Sequence, residues 1–189
     1  MLEQHYLTTL FEPKSVAVIG ASDRENAVGN IIFKNILSSG YKGRLYAINP
    51  KHETIQGQQA YKSIEEIGAR VEMAVIATRP QTVPQIIEQC GRSGVRNVII
   101  ITAGFSESGH IGAALERKML EIARSYNVRI LGPNCLGIIR PDIGLNATFA
   151  KMTANGGNLA LVSQSGAMCS VVLDWAKSNQ VGFSSVISL

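Results

Sequence analysis

The chain has 189 residues, 46% of them hydrophobic and 17% charged, with a formal net charge of +4. That length holds one full core, or one domain and part of another, and the balance of apolar to charged residues excludes a disordered chain. The mild positive excess suits an anionic ligand as well as nucleic acid. Aromatics are only 6% and no Lys/Arg run forms a basic arm, so nucleic acid is not an expected partner.

Strand-like and helix-like segments then alternate along the chain. Ser15–Gly20 is a short apolar run closed by glycine, as a buried parallel strand should be. Gly29–Ser38 carries a helical pattern, and Arg44–Asn49 is the next strand. Ser63–Ile67 has capping-box spacing from Ser63 to Glu66 and reads as a short helix. Glu72–Thr78 is a third strand; Thr82–Gln89 follows as a helix with Thr82 at its cap and Pro84 in its first turn. Arg96–Thr102 is a fourth strand, Ile111–Tyr126 the longest helix, and Val128–Leu131 a fifth, short strand. Repeated strand–helix units of this length require a parallel sheet covered on both faces. The expected fold class is therefore α/β, with a doubly wound, Rossmann-like domain over residues 1–147.

Beyond it, Thr148–Asn158 is rich in Gly, Asn and Thr and suits a linker at residues 148–158. The pattern then restarts: Leu159–Ser163 as a strand, Gly166–Ser178 as a helix and Phe183–Leu189 as a strand. Two strands and one helix cannot close a core of their own. Residues 159–189 are accordingly expected to begin a second α/β domain that is truncated here; the competing expectation is that both late strands extend the first sheet.

The loop after the first strand, Gly20-Ala21-Ser22-Asp23, leads to Gly29 at the start of a helix. Glycines there admit a phosphate to the backbone, and the helix start offers free N–H groups. NAD fits poorly, because the G-x-G-x-x-G spacing is absent and the second strand ends in Asn49-Pro50-Lys51 where an acidic residue would hold the ribose hydroxyls. Lys51 instead attracts a phosphorylated ribose, which both NADP and coenzyme A (CoA) carry. Three further strand ends, Ala77-Thr78-Arg79-Pro80, Thr102-Ala103-Gly104 and Gly132-Pro133-Asn134, fall on the same sheet edge and together favour a ligand crevice. Cys135 lies in the last of these loops without a visible His partner and is expected to be a small buried thiol. Trp175 and Leu173 read as core or interdomain contacts. Cys90, Cys135 and Cys169 lack metal-ligand spacing, so no metal is expected. No apolar stretch reaches the roughly 18 residues that span a bilayer, and Met1–Leu10 lacks a signal-peptide pattern; a cytoplasmic location without a membrane partner is expected.

The segments SVAVIGAS, AINPK, ITAGFSE, GPNCLGI, GLNATF and LVSQSGA, in this order, resemble the NDP-forming acyl-CoA synthetases, the superfamily of ADP-forming acetyl-CoA synthetase and the succinyl-CoA synthetase α subunit. The resemblance implies a CoA-binding Rossmann-like domain followed by a flavodoxin-like domain. It implies that Gly20–Asp23 contacts the CoA phosphates and that Lys51 lies near the nucleotide end. Ala77–Pro80 and Thr102–Gly104 would border the pantetheine arm, and Gly132–Asn134 would lie close to the reacting thiol. It further implies that Ser163, Gln164, Ser165, Gly166 and Ala167 form a phosphate-binding helix start. The resemblance implies that the family's phosphorylated histidine comes later in the second domain, beyond Leu189; His5 precedes the fold and His52 and His110 sit in loops, so none of the three is expected to serve, and the chain alone is expected to bind CoA or acetyl-CoA without completing catalysis. ATP or ADP would be held by other domains of the same polypeptide or by a β-type ATP-grasp subunit, with a homo-oligomer an open option. Ala103, where the succinate enzyme has an acidic residue, leans toward the acetate-type enzymes. The synthetase-like, acetyl-CoA-sensing region of bacterial protein lysine acetyltransferases shares the same pattern and is the first alternative. An NADP-binding module is the second.

Overall fold

The structure, a computed structural model, describes residues 7–150 and 153–189. A seven-stranded sheet forms the body of the first unit. Its strands are β1 (Ser15–Ile19), β2 (Arg44–Ile48), β3 (Thr54–Ile55), β4 (Gln58–Tyr61), β5 (Met73–Ile76), β6 (Asn97–Ile100) and β7 (Arg129–Leu131), in the spatial order β3-β4-β2-β1-β5-β6-β7. All neighbours run parallel except β3, which pairs antiparallel with β4. The chain runs outward from β1 through β2 to β3 and β4, then returns to place β5 on the other side of β1. The strand order therefore reverses between β1 and β5, where open α/β sheets bind ligands.

Both faces are buried, which is why these strands read as continuous apolar runs. Val16, Val18, Met73, Val75 and Ile99 point to one face, where α2 (Val28–Ser38) covers them with Ile32, Phe33 and Ile36. Ala17, Ile19, Ala74, Ile76 and Val98 point to the other, beneath α3 (Val83–Arg92) and α4 (His110–Ser125), which supply Ile87, Cys90, Met119 and Ala123. A short helix, α1 (Thr8–Phe11), precedes β1.

A second sheet of four strands has the order β10-β11-β8-β9, made of β8 (Gly137–Arg140), β9 (Leu145–Thr148), β10 (Asn155–Ser163) and β11 (Gly182–Ser188). β10 and β11 are parallel, and β8 is antiparallel to both β11 and β9. The late strands thus neither extend the first sheet nor stand alone: the β8–β9 hairpin joins them. Side-chain alternation makes that hairpin serve two cores. Ile138 packs with α2 under the first sheet, while Ile139 packs with Cys169, Leu173 and Phe183 of the second unit, against α5 (Gly166–Ser178). Arg140 ties the arrangement together, donating from Nε to Ser184 O at 3.0 Å and from Nη1 to Phe11 O at 2.8 Å.

Several local expectations are corrected. The stretch at 148–158 contains the end of β9 and the start of β10, so among the described residues it is largely sheet; Lys151 and Met152 lie outside them. Gly157 serves close approach: a Cβ on it would stand 2.4 Å from Gly182 C. Ser63 makes no cap bond. Only a single 3₁₀ turn, Glu65–Ile67, forms there, and Glu66 Oε2 accepts from Lys62 N at 2.9 Å. Thr82 precedes α3 but does not cap it; its hydroxyl donates to Arg79 O at 2.7 Å. Leu173 is core, whereas Trp175 is exposed.

Candidate functional site

A cleft of about 970 Å³ opens at the carboxyl ends of the first sheet, at the β1/β5 reversal. Its floor depends on two glycines. Gly20 has φ +96°, and a Cβ there would stand 2.4 Å from Ala77 O; a Cβ on Gly29 would stand 1.9 Å from Gly20 O. Any larger residue at either position would force the β1 loop, the end of β5 and the first turn of α2 apart. The first turn of α2 carries no side-chain cap, and Ala27, Val28 and Gly29 line the cleft, so the start of the helix forms an anion-favouring edge there.

The loop is braced by its own side chains. Asn30 Nδ2 donates to Ser22 O at 2.9 Å, and Asp23 Oδ1 accepts from Gln56 N at 2.7 Å in the β3–β4 turn. Asp23 is thus engaged with the hairpin and is absent from the lining of the cleft. Asn49 Nδ2 donates to Ala21 O at 2.8 Å, while Asn49 Oδ1 accepts from Lys51 N at 2.9 Å. The residue that would be acidic in a dinucleotide site is here spent on positioning the turn that carries Lys51.

The other strand ends are clamped by Thr102. Its hydroxyl donates to Thr78 O at 2.9 Å and accepts from Thr78 N at 3.2 Å, and Asn134 N donates to Thr102 O at 3.0 Å. Gly104 has φ +106°, with a Cβ position 2.8 Å from Pro80 Cγ. Glu107 holds this loop, accepting from Gly104 N at 2.6 Å and Phe105 N at 3.2 Å. The Gly104 N–H keeps the Glu107 carboxyl below its ordinary range. The Gly132–Pro133 peptide is cis. Cys135 is buried beneath it, its thiol pushed up to about 11 by desolvation, with Sγ 3.4 Å from Ile100 O. That is the environment of a structural thiol.

Of the residues expected from sequence, Gly20, Ser22, Lys51, Ala77, Thr78, Arg79, Pro80, Thr102, Ala103 and Asn134 line the cleft. Ala21, Asp23, Gly104, Gly132 and Pro133 do not; they shape the loops behind it. Sequence reasoning missed Arg24, Lys62, Gln85, Gln89 and Phe149, all of which line it. Arg24 and Lys62, like Lys51 and Arg79, come from separate loops and are solvent-exposed. Four cations, Arg24, Lys51, Lys62 and Arg79, thus border the cleft, and no carboxylate is among the described residues that line it.

Ser163–Ala167 stand apart from the cleft but next to it. Ser165 is the N-cap of α5, its Oγ accepting from Met168 N at 3.2 Å, and Ser163 Oγ accepts from Ser165 N at 3.0 Å. Leu136 links the two places: its Cβ lies 3.5 Å from the Cβ position of Gly166, and its N–H donates to Ser188 Oγ at 3.1 Å. His52 and His110 are exposed and line no part of the cleft; His5 lies outside the described residues. No group of three His, Cys, Asp or Glu suited to a metal is found among the described residues, and no helix among them is long and apolar enough to cross a membrane.

The chain is similar to known proteins over almost its whole length. Residues 14–141 match a family model described as CoA binding domain, and residues 156–189 match one described as succinyl-CoA ligase like flavodoxin domain. The chain is 47% identical over 180 residues to an ADP-forming acetate–CoA ligase I of Archaeoglobus fulgidus, covering 95% of this chain and 26% of that protein. It is 44% identical over 187 residues to the α subunit of the ADP-forming acetate–CoA ligase I of Pyrococcus furiosus, covering 97% and 40%. Among solved structures, the acetyl-coenzyme A synthetase 1 of Ca. Korarchaeum cryptofilum, in complex with phosphate and ADP, superposes with a TM-score of 0.92 at 37% identity, covering 96% of this chain and 39% of that one. The chain therefore spans about a quarter to two fifths of the length of the relatives it matches.

Proposed function

Because the chain belongs to the CoA-binding domain family of the NDP-forming acyl-CoA synthetases, we propose that the cleft at the β1/β5 reversal binds CoA and its short acyl thioesters on behalf of an ADP-forming acyl-CoA ligase. The observation that carries this reading is the lining: four cations, Arg24, Lys51, Lys62 and Arg79, with no carboxylate among the described lining residues. CoA bears a diphosphate and a ribose phosphate, a charge that such a lining favours without a metal. In this reading the diphosphate lies against the Gly20 loop and the first turn of α2. The ribose phosphate lies toward Lys51, and the pantetheine arm runs past Ala77–Pro80 and Thr102–Ala103 to Asn134. The turn at Ser163–Ala167 receives a phosphoryl group, brought there by a histidine and a nucleotide-binding domain outside these residues. Acetate is the favoured acid, a β-type ATP-grasp domain or subunit the favoured partner, and the reducing cytoplasm, which suits three buried free thiols, the favoured location. The domain division at residues 147 and 159 is retained as a functional division, although the β8–β9 hairpin is packed into both cores.

The acetyltransferase-linked alternative is not favoured, since the relatives described above carry ligase names. The NADP alternative is not favoured either, since the matched family model is a CoA-binding one. Calorimetric titration of the chain with CoA, acetyl-CoA and NADP tests the proposal. CoA and acetyl-CoA are expected to bind and to raise the melting temperature, by about 2.7 kcal/mol of added stability at a hundredfold excess over Kd. Binding of NADP with none of CoA at millimolar concentration refutes it.

A further inference from the structure

Phe149 is an aromatic residue facing the cleft from an unusual position. It is 38% exposed, yet its neighbours Thr148 and Ala150 are 1% and 8% exposed. The backbone around it is held from both sides by one side chain: Asn35 Nδ2 donates to Thr148 O and to Ala150 O, each at 2.9 Å. A second brace comes from Thr148 Oγ1, which donates to Asn146 Oδ1 at 2.7 Å and accepts from Ala150 N at 3.2 Å. An apolar ring left in water gains nothing for the folded chain. Four hydrogen bonds converging on the two residues that flank it nevertheless fix where it stands.

Its place in the fold gives that fixation a purpose. In the β8–β9 ladder Thr148 is paired with Gly137, so the register carried one step further sets Phe149 opposite Leu136. Leu136 is two residues from Asn134, which lines the cleft, and is the residue that touches the start of α5. Phe149 thus borders the cleft at the end where the Gly132–Asn134 loop meets the second unit. The four cations come from the Gly20 loop and the ends of β2, β4 and β5, outside this hairpin.

We infer that Phe149 is a specificity-determining residue: its ring forms the end wall of the cleft and limits the acyl group of a bound acyl-CoA to a few carbons. Asn35 is the positioning residue that holds it. This inference rests on the reading of the cleft as a CoA site. A wall of this kind acts by steric exclusion, and removing it relaxes the preference against bulky groups. Apolar pockets discriminate by about 10-fold or more for small differences in size.

The test is a set of calorimetric titrations of the 189-residue chain, and of Phe149→Ala, Phe149→Leu and Asn35→Ala, with CoA, acetyl-CoA and benzoyl-CoA. The unaltered chain is expected to bind CoA and acetyl-CoA alike and benzoyl-CoA at least about 10-fold more weakly. Phe149→Ala is expected to reduce that penalty to roughly threefold or less while leaving CoA within about twofold, with Phe149→Leu intermediate. Asn35→Ala is expected to move the benzoyl-CoA to CoA ratio in the same direction, which loss of a purely structural bond would not do. Retained CoA affinity in each variant reports that the fold is intact. An unchanged ratio in both Phe149 variants with CoA still bound overturns this inference alone. Failure of the unaltered chain to bind CoA overturns the reading of the cleft, and this inference with it.

Discussion

Replacing Lys51 by Ala tests the electrostatic reading of the cleft most directly. The Lys51 turn is rigid, because its N–H is held by Asn49, and Asn49 is held by Ala21 O. The Lys51 side chain itself is exposed. A hydrogen bond between charged groups sheltered from water contributes about 1.5–3 kcal/mol, whereas an exposed ion pair contributes about 0.2–1 kcal/mol. Exposure moves the expectation to the boundary of these ranges, about 1 kcal/mol, or roughly a fivefold rise in Kd for CoA. For CoA lacking the ribose phosphate the same substitution is expected to change Kd less than about twofold, so that the loss appears as coupling in a cycle of two proteins and two ligands. Because the contact is near solvent, the coupling should shrink between roughly 50 and 500 mM salt. Calorimetry of the four pairings reads all of this. Equal losses for both ligands refute the assignment, and coupling that appears only in Lys62→Ala transfers the role to Lys62.

Gly20→Ala should lower stability by roughly 2–4 kcal/mol, because φ is +96° and the added carbon would meet Ala77 O at 2.4 Å; this corresponds to a fall in melting temperature of about 5–15 °C, and an unchanged melt refutes it. Glu107→Gln removes the carboxylate that anchors the Gly104–Phe105 loop. The folded-state pKa of Glu107 is depressed, the Gly104 N–H being the main cause. Its stabilisation is therefore fully present above the ordinary carboxylate range and is lost as pH falls through the depressed value. The difference in melting temperature between the two proteins should accordingly be largest near neutral pH and narrow progressively in acid; a difference that does not narrow as pH falls below the ordinary carboxylate range refutes the role.

The parallel sheet was legible because buried strands such as Val16–Ile19 and Val98–Ile101 are unbroken apolar runs, and α3 and α4 show clear apolar stripes. The β8–β9 hairpin was not. Its strands are four residues each, its turn holds Pro141 and Gly144, and its two faces are both apolar because each serves a different core. Local pattern cannot distinguish such a hairpin from a loop with an apolar patch. The glycine pair at 156 and 157 misled for a related reason: Gly157 lets two backbones approach closely, and the same composition marks a linker. In the site, the Gly20 loop, the Lys51 turn and the Asn134 loop were readable as strand ends. Arg24, Lys62 and Phe149 were not, since each is an ordinary residue until its neighbours are known.

The sequence by itself determined the α/β class, the succession of the five strands it showed along the first unit and the sheet edge that carries the candidate ligand loops. Apolar periodicity and the glycines at strand ends are properties of neighbouring residues, and so survive without coordinates. Only the tertiary structure decided that Asp23 is engaged with the β3–β4 turn and that Thr102 joins β5 to β6. Only it brought Arg24, Lys51, Lys62 and Arg79 from four loops around one cleft, and added Phe149 to its lining. Those relations are set by sheet order and by contacts across long stretches of chain, such as the bond between Asn35 and Thr148, 113 positions apart, which no local pattern encodes.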